Sequence, residues 1–172
     1  MRAKQKAAIL VEQRLVRDRT EAHHDARALA IELARRVPVT RFDPMTAGVV
    51  LQPGETVYRQ LPLWIRVQQN GHWAEASYAD VIVTDARLFC RFAAGRVSLL
   101  WWGGVVAMDV DLAAEHIVLD FGDGQPISLS GPWVAAAAVA GVVMLYGVEA
   151  LVDYSALAPP RGEGLRHRSG ST

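Results

Sequence analysis

The sequence has little of what most enzymes and secreted proteins depend on. Its 172 residues include one cysteine, Cys90, so no intramolecular disulfide can form and no secretory disulfide framework is implied. It has no glycine-rich phosphate loop, no serine in a nucleophile elbow, and no metal-ligand spacing among its histidines, cysteine and acids. We therefore predict no catalytic site, no cofactor and no metal, and interpret the protein as non-enzymatic.

The beginning of the given sequence is also not expected to act as a secretion signal. Its basic start is followed by a five-residue apolar run, Ala7 to Val11, which ends at Glu12. This run is shorter than the apolar core of a signal peptide. The expected location is the cytoplasm, with association to a membrane as the alternative.

Charge is unevenly distributed, although the net charge is zero. Through Arg41 there are ten basic and five acidic residues, a net charge of +5, so the remainder carries −5. A basic arm on an acidic body can bind anionic lipid or nucleic acid, or dock on its own body or on a second copy, and we favour docking. From Phe42 to Ala158 the net charge is −7 and there is no lysine, so nucleic acid is not an expected partner.

Residues 1–37 are predicted to form an N-terminal helical arm. From Ala3 to about Arg36 there is no proline or glycine, and Pro38 ends the pattern. Asp18 and Asp25 interrupt the apolar repeat and argue against a long coiled coil. One modest apolar stripe remains, which predicts packing against the body or a partner subunit. Its members are Ala8, Val11, Leu15, Ala22, Ala26, Leu29 and Leu33.

Short apolar runs separated by turn residues predict an antiparallel meander centred on residues 80–110. There, Thr84-Asp85-Ala86-Arg87 predicts a tight connection between two strands. Asn70-Gly71 predicts a two-residue hairpin, and Pro62 predicts a bulge or an edge in its strand. Further strands are predicted over Thr56–Gln68, His72–Thr84, Val105–Leu112, Glu115–Phe121 and Gln125–Ser130.

The segment 132–153 is predicted to form an apolar helix. Sixteen residues from Trp133 to Val148 carry no charge, whereas a membrane span needs about 20 apolar residues. We interpret the segment as a helix buried on several sides against the sheet. The alternative is an integral membrane protein that uses 133–151 as a span.

Two motifs resemble those of GRAM-like and bacterial PH-like domains. Leu51-Gln52-Pro53-Gly54-Glu55 resembles the Leu-x-Pro-Gly-Glu that opens their first strand, and Val83-Thr84-Asp85-Ala86-Arg87-Leu88 resembles the hairpin between their second and third strands. The resemblance covers about residues 49–155. It implies the PH-like superfold, an α+β fold that is mainly β: a seven-stranded bent antiparallel barrel capped by a C-terminal apolar helix.

The resulting division of the chain has four parts. These are the helical arm 1–37, a linker 38–48, a PH-like barrel 49–155 that includes the C-terminal helix 132–153, and a tail 156–172. The tail is rich in proline, glycine, serine and arginine and is predicted to be disordered.

The resemblance implies an interaction scaffold without naming its ligand. Where phosphoinositide-binding PH domains have a Lys-x-Arg-type cluster, this chain has Arg66-Val67-Gln68-Gln69-Asn70. We predict a module that binds protein or peptide, or self-associates through the N-terminal helix. The alternative is peripheral binding of anionic lipid through that basic helix. The candidate contact residues are Arg14, Arg17, Arg27, Arg35, Arg36, Trp101 and Trp102.

Three residue pairs suggest a site but have simpler explanations. Trp101-Trp102 fits an exposed aromatic platform, yet aromatics in a meander more often pack in the core. His23-His24 are adjacent on a helix, so their rings point about 100° apart and do not face one ion. Asp109 and Asp111 alternate along a strand, and a solvated face explains them better than acid–base catalysis.

Overall fold

The computed structural model describes residues 2–35 and 43–153, and the predictions for residues 36–42 and for the tail lie outside these ranges. Helix α1 spans Arg2–Arg35, close to the predicted helix. A short helix α2 spans Pro44–Ala47. It begins after Asp43, whose carboxylate accepts a hydrogen bond from the Met45 N–H at 3.0 Å, as expected of an N-cap residue.

Eight antiparallel strands form one bent sheet: β1 Val57–Gln69, β2 His72–Trp73, β3 Ser77–Thr84, β4 Arg87–Phe92, β5 Val97–Trp101, β6 Ala107–Asp111, β7 His116–Asp120 and β8 Ile127–Ser130. Its order is β5-β4-β3-β1-β8-β7-β6, and the short β2 extends the hairpin of β1. The 13-residue β1 belongs to both halves of the sheet, because it pairs with β3 over Val57–Ile65 and with β8 over Trp64–Val67.

The predicted PH-like fold class is confirmed, with two differences in the strands. The sheet is bent but not closed into a barrel, because β5 and β6 lie at its two ends and do not pair. The predicted strand His72–Thr84 is two strands, β2 and β3. Between the pairs Gln68↔Trp73 and Ile65↔Ser77, β1 has two residues, 66 and 67, whereas the opposite segment has three, 74–76. The extra residue in the opposite segment forms a bulge.

The predicted turns have the expected backbone. Asn70 and Gly71 both have positive φ, 51° and 78°, as the type I′ hairpin turn requires. Pro62 pairs with Asp80 of β3, and β8 joins the other side of β1 only from Trp64 onward. Pro62 therefore lies where β1 is locally an edge, as predicted from its missing N–H.

The predicted apolar helix 132–153 is divided in two. Helix α3 spans Val134–Tyr146, and a short α4 spans Ala150–Asp153. Gly147, with φ 89°, takes the chain out of α3, a conformation that glycine adopts without a steric penalty. Among the described residues no helix combines the length and hydrophobicity needed to cross a bilayer. The alternative membrane span 133–151 thus corresponds to a 13-residue helix and a separate turn of helix.

The core lies between the two halves of the sheet and under α3. Inward-facing side chains such as Leu63, Val81 and Ile117 are fully buried, and Ala136 to Ala138 of α3 are completely enclosed. Helix α3 packs against the sheet on one side and against α1 on the other. This position explains why α3 is apolar around its whole circumference.

Candidate interaction surfaces

The C-terminal half of α1 is part of the core. Ala22, Ala26 and Leu29, three residues of the predicted stripe, are buried where α1 packs on α3. Leu33 packs against the edge of the same cluster. The predicted alternatives for the stripe were the body or a partner subunit, and for this half of the helix the contact is the body.

Arg59 of β1 fixes α1 in place through two acids of the helix. Its Nε donates to Asp25 Oδ1 at 2.7 Å, and its two terminal nitrogens donate to the two oxygens of Glu32 at 3.0 Å each. Burial alone lowers the pKa of Arg59, but the hydrogen bonds to Glu32 and Asp25 outweigh it, so the pKa is raised. Asp25, which interrupts the apolar repeat, is therefore a docking residue. Arg19 of α1 also pairs with Glu115.

The N-terminal half of α1 extends beyond this contact with the same stripe exposed. Val11 is 59% exposed and Leu15 is 45% exposed. With 3.6 residues per turn, both lie within about 20° of the buried Ala22 around the helix axis. Leu10 and Val16 are exposed as well, but they lie about 120° from that line. Val11 and Leu15 thus lie on the same side of the helix as the residues that pack on α3, but they are uncovered; the side chain of Ala8, the first residue of the stripe, lies outside the described part.

The two motifs that carry the family resemblance meet in a buried ion pair. Glu55 from the first motif is 1% exposed and Arg87 from the second is 7% exposed. Arg87 Nε and Nη2 donate to the two Glu55 oxygens at 2.9 Å each, and Nη2 also donates to the Val50 carbonyl at 2.9 Å. Thr84 adds a hydroxyl bond to Glu55 at 2.8 Å. These contacts give the motifs a structural role.

The environment of Glu55 favours its charged form. Burial raises the pKa of this carboxyl group, but hydrogen bonds from Arg87, from the Gln52 N–H and from the Thr84 hydroxyl lower it further than burial raises it. The net pKa is below the ordinary value. The carboxylate therefore stays ionised at neutral pH and holds Arg87 in place.

The two candidate tryptophans lie in different environments. Trp102 is buried, its indole N–H donates to the Thr84 carbonyl at 2.9 Å, and it faces Gly141 of α3. Trp102 is therefore a core residue and not a surface contact. Trp101 is exposed at the end of β5, and the guanidinium of Arg87 lies 4.7 Å from the centre of a Trp101 ring.

The candidate arginines do not converge on one site. Arg14, Arg17, Arg27 and Arg35 are all exposed along α1, and Arg17 pairs with Glu21 one turn away at 3.4 Å. Arg36 lies outside the described residues. They are instead spread along the helix axis, because a rise of about 1.5 Å per residue places Arg14 and Arg35 about 30 Å apart.

The histidine and aspartate pairs lie at the surface. His23 and His24 are exposed, as are Asp109 and Asp111. Within the part of the chain that the structure describes, no three His, Cys, Asp or Glu side chains are grouped so as to hold a metal ion. The solvated face predicted for the two aspartates is confirmed.

A cleft of about 330 Å³ opens between the two halves of the sheet. Its lining combines apolar residues such as Ile65, Leu100 and Ile127 with the polar Ser77 and Ser98, and its exposed rim carries one cation, Arg96, and one anion, Glu75. Cys90 also lines the cleft, and burial raises the pKa of its thiol to about 12. A thiol with this pKa is almost wholly protonated at neutral pH, so Cys90 acts as a packing residue, as predicted.

The sequence analysis missed one exposed aromatic pair and, of a second exposed surface, identified Trp101 alone. Trp64 and Tyr78 form an exposed cross-strand pair with ring centres 5.6 Å apart, and Val97, Leu99 and Trp101 form an outward row on β5. The alternation of apolar and other residues in these strands is a signal for two faces. It does not say which face is covered, because that depends on contacts distant in sequence.

Comparisons with known proteins do not assign the chain to a family. The sequence matches no protein-family model, and no curated protein is significantly similar to it. Among solved structures, the chain is similar to the Vps36 N-terminal PH domain, with a TM-score of 0.42 and 11% identity over 60% of this chain and 86% of that one. So distant a similarity carries no argument about ligands. The PH-like assignment follows here from the strand order, the bend of the sheet and the capping helix.

Proposed function

We propose that this protein is a non-enzymatic PH-like interaction module, of the GRAM-like or bacterial PH-like kind, that self-associates through the N-terminal half of α1. The observation that carries the proposal is the apolar stripe on α1, which Asp18 interrupts between its exposed and its buried parts. Its C-terminal part already forms an apolar interface with α3, and its N-terminal part, Val11 and Leu15, presents the same kind of surface to solvent. A second copy offers a matching stripe, and symmetric pairing is the commonest form of protein assembly.

The charge of the body supports a protein partner over a lipid headgroup. Residues 42–158 carry a net charge of −7 and no lysine. The rim of the open cleft has one arginine and one glutamate, whereas polyanionic headgroups require clustered cations. A lipid site in the body therefore has no electrostatic basis.

Two adjacent substitutions test the proposal in the full-length chain. Val11→Glu places a charge on the stripe, and Leu10→Glu places the same charge about 120° away on an equally exposed residue. By size-exclusion chromatography with light scattering, we expect the wild-type protein at a multiple of 18.8 kDa. We expect Leu10→Glu to behave like the wild type and Val11→Glu to be a monomer. A wild-type monomer at all concentrations, or equal masses for both variants, would contradict the proposal.

Membrane binding through α1 is the competing function. Exposed apolar residues beside Arg14 and Arg27 make α1 amphipathic enough to lie at an anionic surface. Vesicles with one third phosphatidylserine separate the two functions. Salt-sensitive co-sedimentation of a monomeric wild-type protein would favour the membrane, and absence of co-sedimentation with a multimeric mass would favour assembly. The cytoplasmic location remains a prediction.

A further inference from the structure

One row of apolar side chains on β5 is uncovered. Val97, Leu99 and Trp101 alternate with inward-facing residues and point to the outside of the sheet. On the neighbouring strands the same outer face is covered: Phe89, the partner of Leu99, packs against a cluster of Val49, Val57 and Ile82. Leu99, the middle residue of the row, is 39% exposed. The apolar outer face thus continues from β4 onto β5, but its residues on β5 are exposed.

The backbone of β5 has one free side. Among the described strands, β5 pairs with β4 alone. The Trp102 N–H donates to Ala86 and the Arg96 carbonyl accepts from Phe92, so even-numbered residues point their backbone groups toward β4. Backbone groups alternate along an antiparallel strand. The N–H and C=O groups of residues 97, 99 and 101 therefore point away from β4.

The free edge lies beside the cleft. Ser98 and Leu100, the inward-facing residues of β5, line the cleft together with Ile65 and Ile127. A strand added to β5 places alternate side chains next to Ser98 and Leu100, since directly opposed residues are about 5 Å apart. Its other side chains lie next to the outer row. The guanidinium of Arg87 lies over the Trp101 ring, and Arg87 is itself held by its ion pair with the buried Glu55. These contacts orient Trp101 before a partner binds.

We propose that the free edge of β5 binds an uncharged, extended, mainly aliphatic segment of a partner protein by strand addition. The outer row is apolar, and the cleft is lined by apolar residues together with Ser77 and Ser98. Aliphatic side chains therefore suit the outer face of the segment, and aliphatic or threonine side chains suit the face next to the cleft. The rim carries one positive side chain, Arg96, and one negative side chain, Glu75. It therefore favours a segment without net charge. The proposal rests on the proposed role as an interaction module, but it does not depend on self-association through α1. Light scattering tests the α1 surface, and the following experiment tests the β5 edge separately.

Amide hydrogen exchange measured by NMR on the full-length protein tests the proposal. The probe is a nine-residue peptide in which valine and threonine alternate between terminal lysines. We expect it to slow exchange at Val97, Leu99 and Trp101 by about tenfold or more, because these amides gain partners. Ser98 and Leu100 already bond to β4, and their exchange should not change. An analogue with an N-methyl group on every residue between the terminal lysines lacks donors on both edges and should have no effect.

A matched pair of variants tests the outer row. Leu99→Lys removes an apolar contact from the row, whereas Val106→Lys changes an exposed valine that precedes β6. We expect Leu99→Lys to weaken peptide binding about tenfold and Val106→Lys to leave it unchanged. Three results would overturn the proposal: no protection at Leu99, equal affinity of both variants, or protection that rises with protein concentration without peptide. The last result would identify a second copy as the occupant.

Discussion

At the scale of single residues, Glu55 and Arg87 explain why two separate motifs belong together. Each motif supplies one charge of a buried pair whose hydrogen bonds hold the segment before β1 against the hairpin of β3 and β4. The resemblance to PH-like domains was visible in the sequence, but the pair was not. Residues 55 and 87 are far apart in the chain, and neither motif indicates that its charged residue is buried.

Removal of one charge from this pair should destabilise the protein. Glu55→Gln keeps the shape of the side chain but leaves the buried Arg87 without a counter-charge, which should lower the free energy of unfolding by about 3 kcal/mol. Urea unfolding measures this value. The control is Glu21→Gln, which removes the exposed partner of Arg17 and should change the free energy by less than about 0.5 kcal/mol. Equal effects would show that Glu55 is not a structural residue.

The same pair predicts how stability depends on pH. The pKa of Glu55 is lower in the folded protein than its ordinary value of 4.5, so the unfolded chain takes up this proton first as the pH falls. The contribution of Glu55 is therefore fully present above pH 4.5 and is lost as the pH falls through the folded-state pKa. Urea unfolding between pH 6 and pH 3 should show a smaller loss of stability in Glu55→Gln than in the wild type. An identical pH dependence would contradict this assignment.

At the scale of secondary-structure elements, the features that depend on interactions close in sequence were predicted correctly. Asn70-Gly71 predicted the hairpin, Pro62 predicted the local edge of β1, and a long run without glycine or proline predicted α1. The break between β2 and β3 was missed because it comes from an unequal number of residues on two paired strands. The covering of α1 was left open because it depends on Arg59, which lies in another element.

The contact of α3 with the sheet depends on a residue without a side chain. A Cβ atom at Gly141 would lie 2.8 Å from Met108 Sδ and 3.4 Å from Trp102 Cζ3. Gly141→Val should therefore lower the free energy of unfolding by about 2 kcal/mol through overpacking. Met108→Ala makes room for the new side chain, so the double variant should be at least about 1 kcal/mol more stable than the sum of the single effects predicts. Strict additivity in urea unfolding would rule out this contact.

At the scale of the whole molecule, α1 joins the predicted arm to the predicted barrel. The division into 1–37, 38–48, 49–155 and 156–172 remains a proposal, but the C-terminal half of α1 belongs with the body because Ala22, Ala26 and Leu29 lie in its core. The net charges of arm and body suggested general attraction. The contacts are more specific, since acids of α1 pair with Arg59 of the body and Arg19 pairs with Glu115.

A comparison of three chain lengths tests most directly the claim that the two halves of α1 have different roles. Light scattering and thermal unfolding are measured on the full chain, on a chain that begins at Asp18, and on one that begins at Asp43. We predict an assembled full chain, a monomer of nearly unchanged stability from Asp18, and a strongly destabilised protein from Asp43, because burial of Leu29 alone contributes about 2 kcal/mol. An assembled protein from Asp18, or full stability from Asp43, would contradict the account.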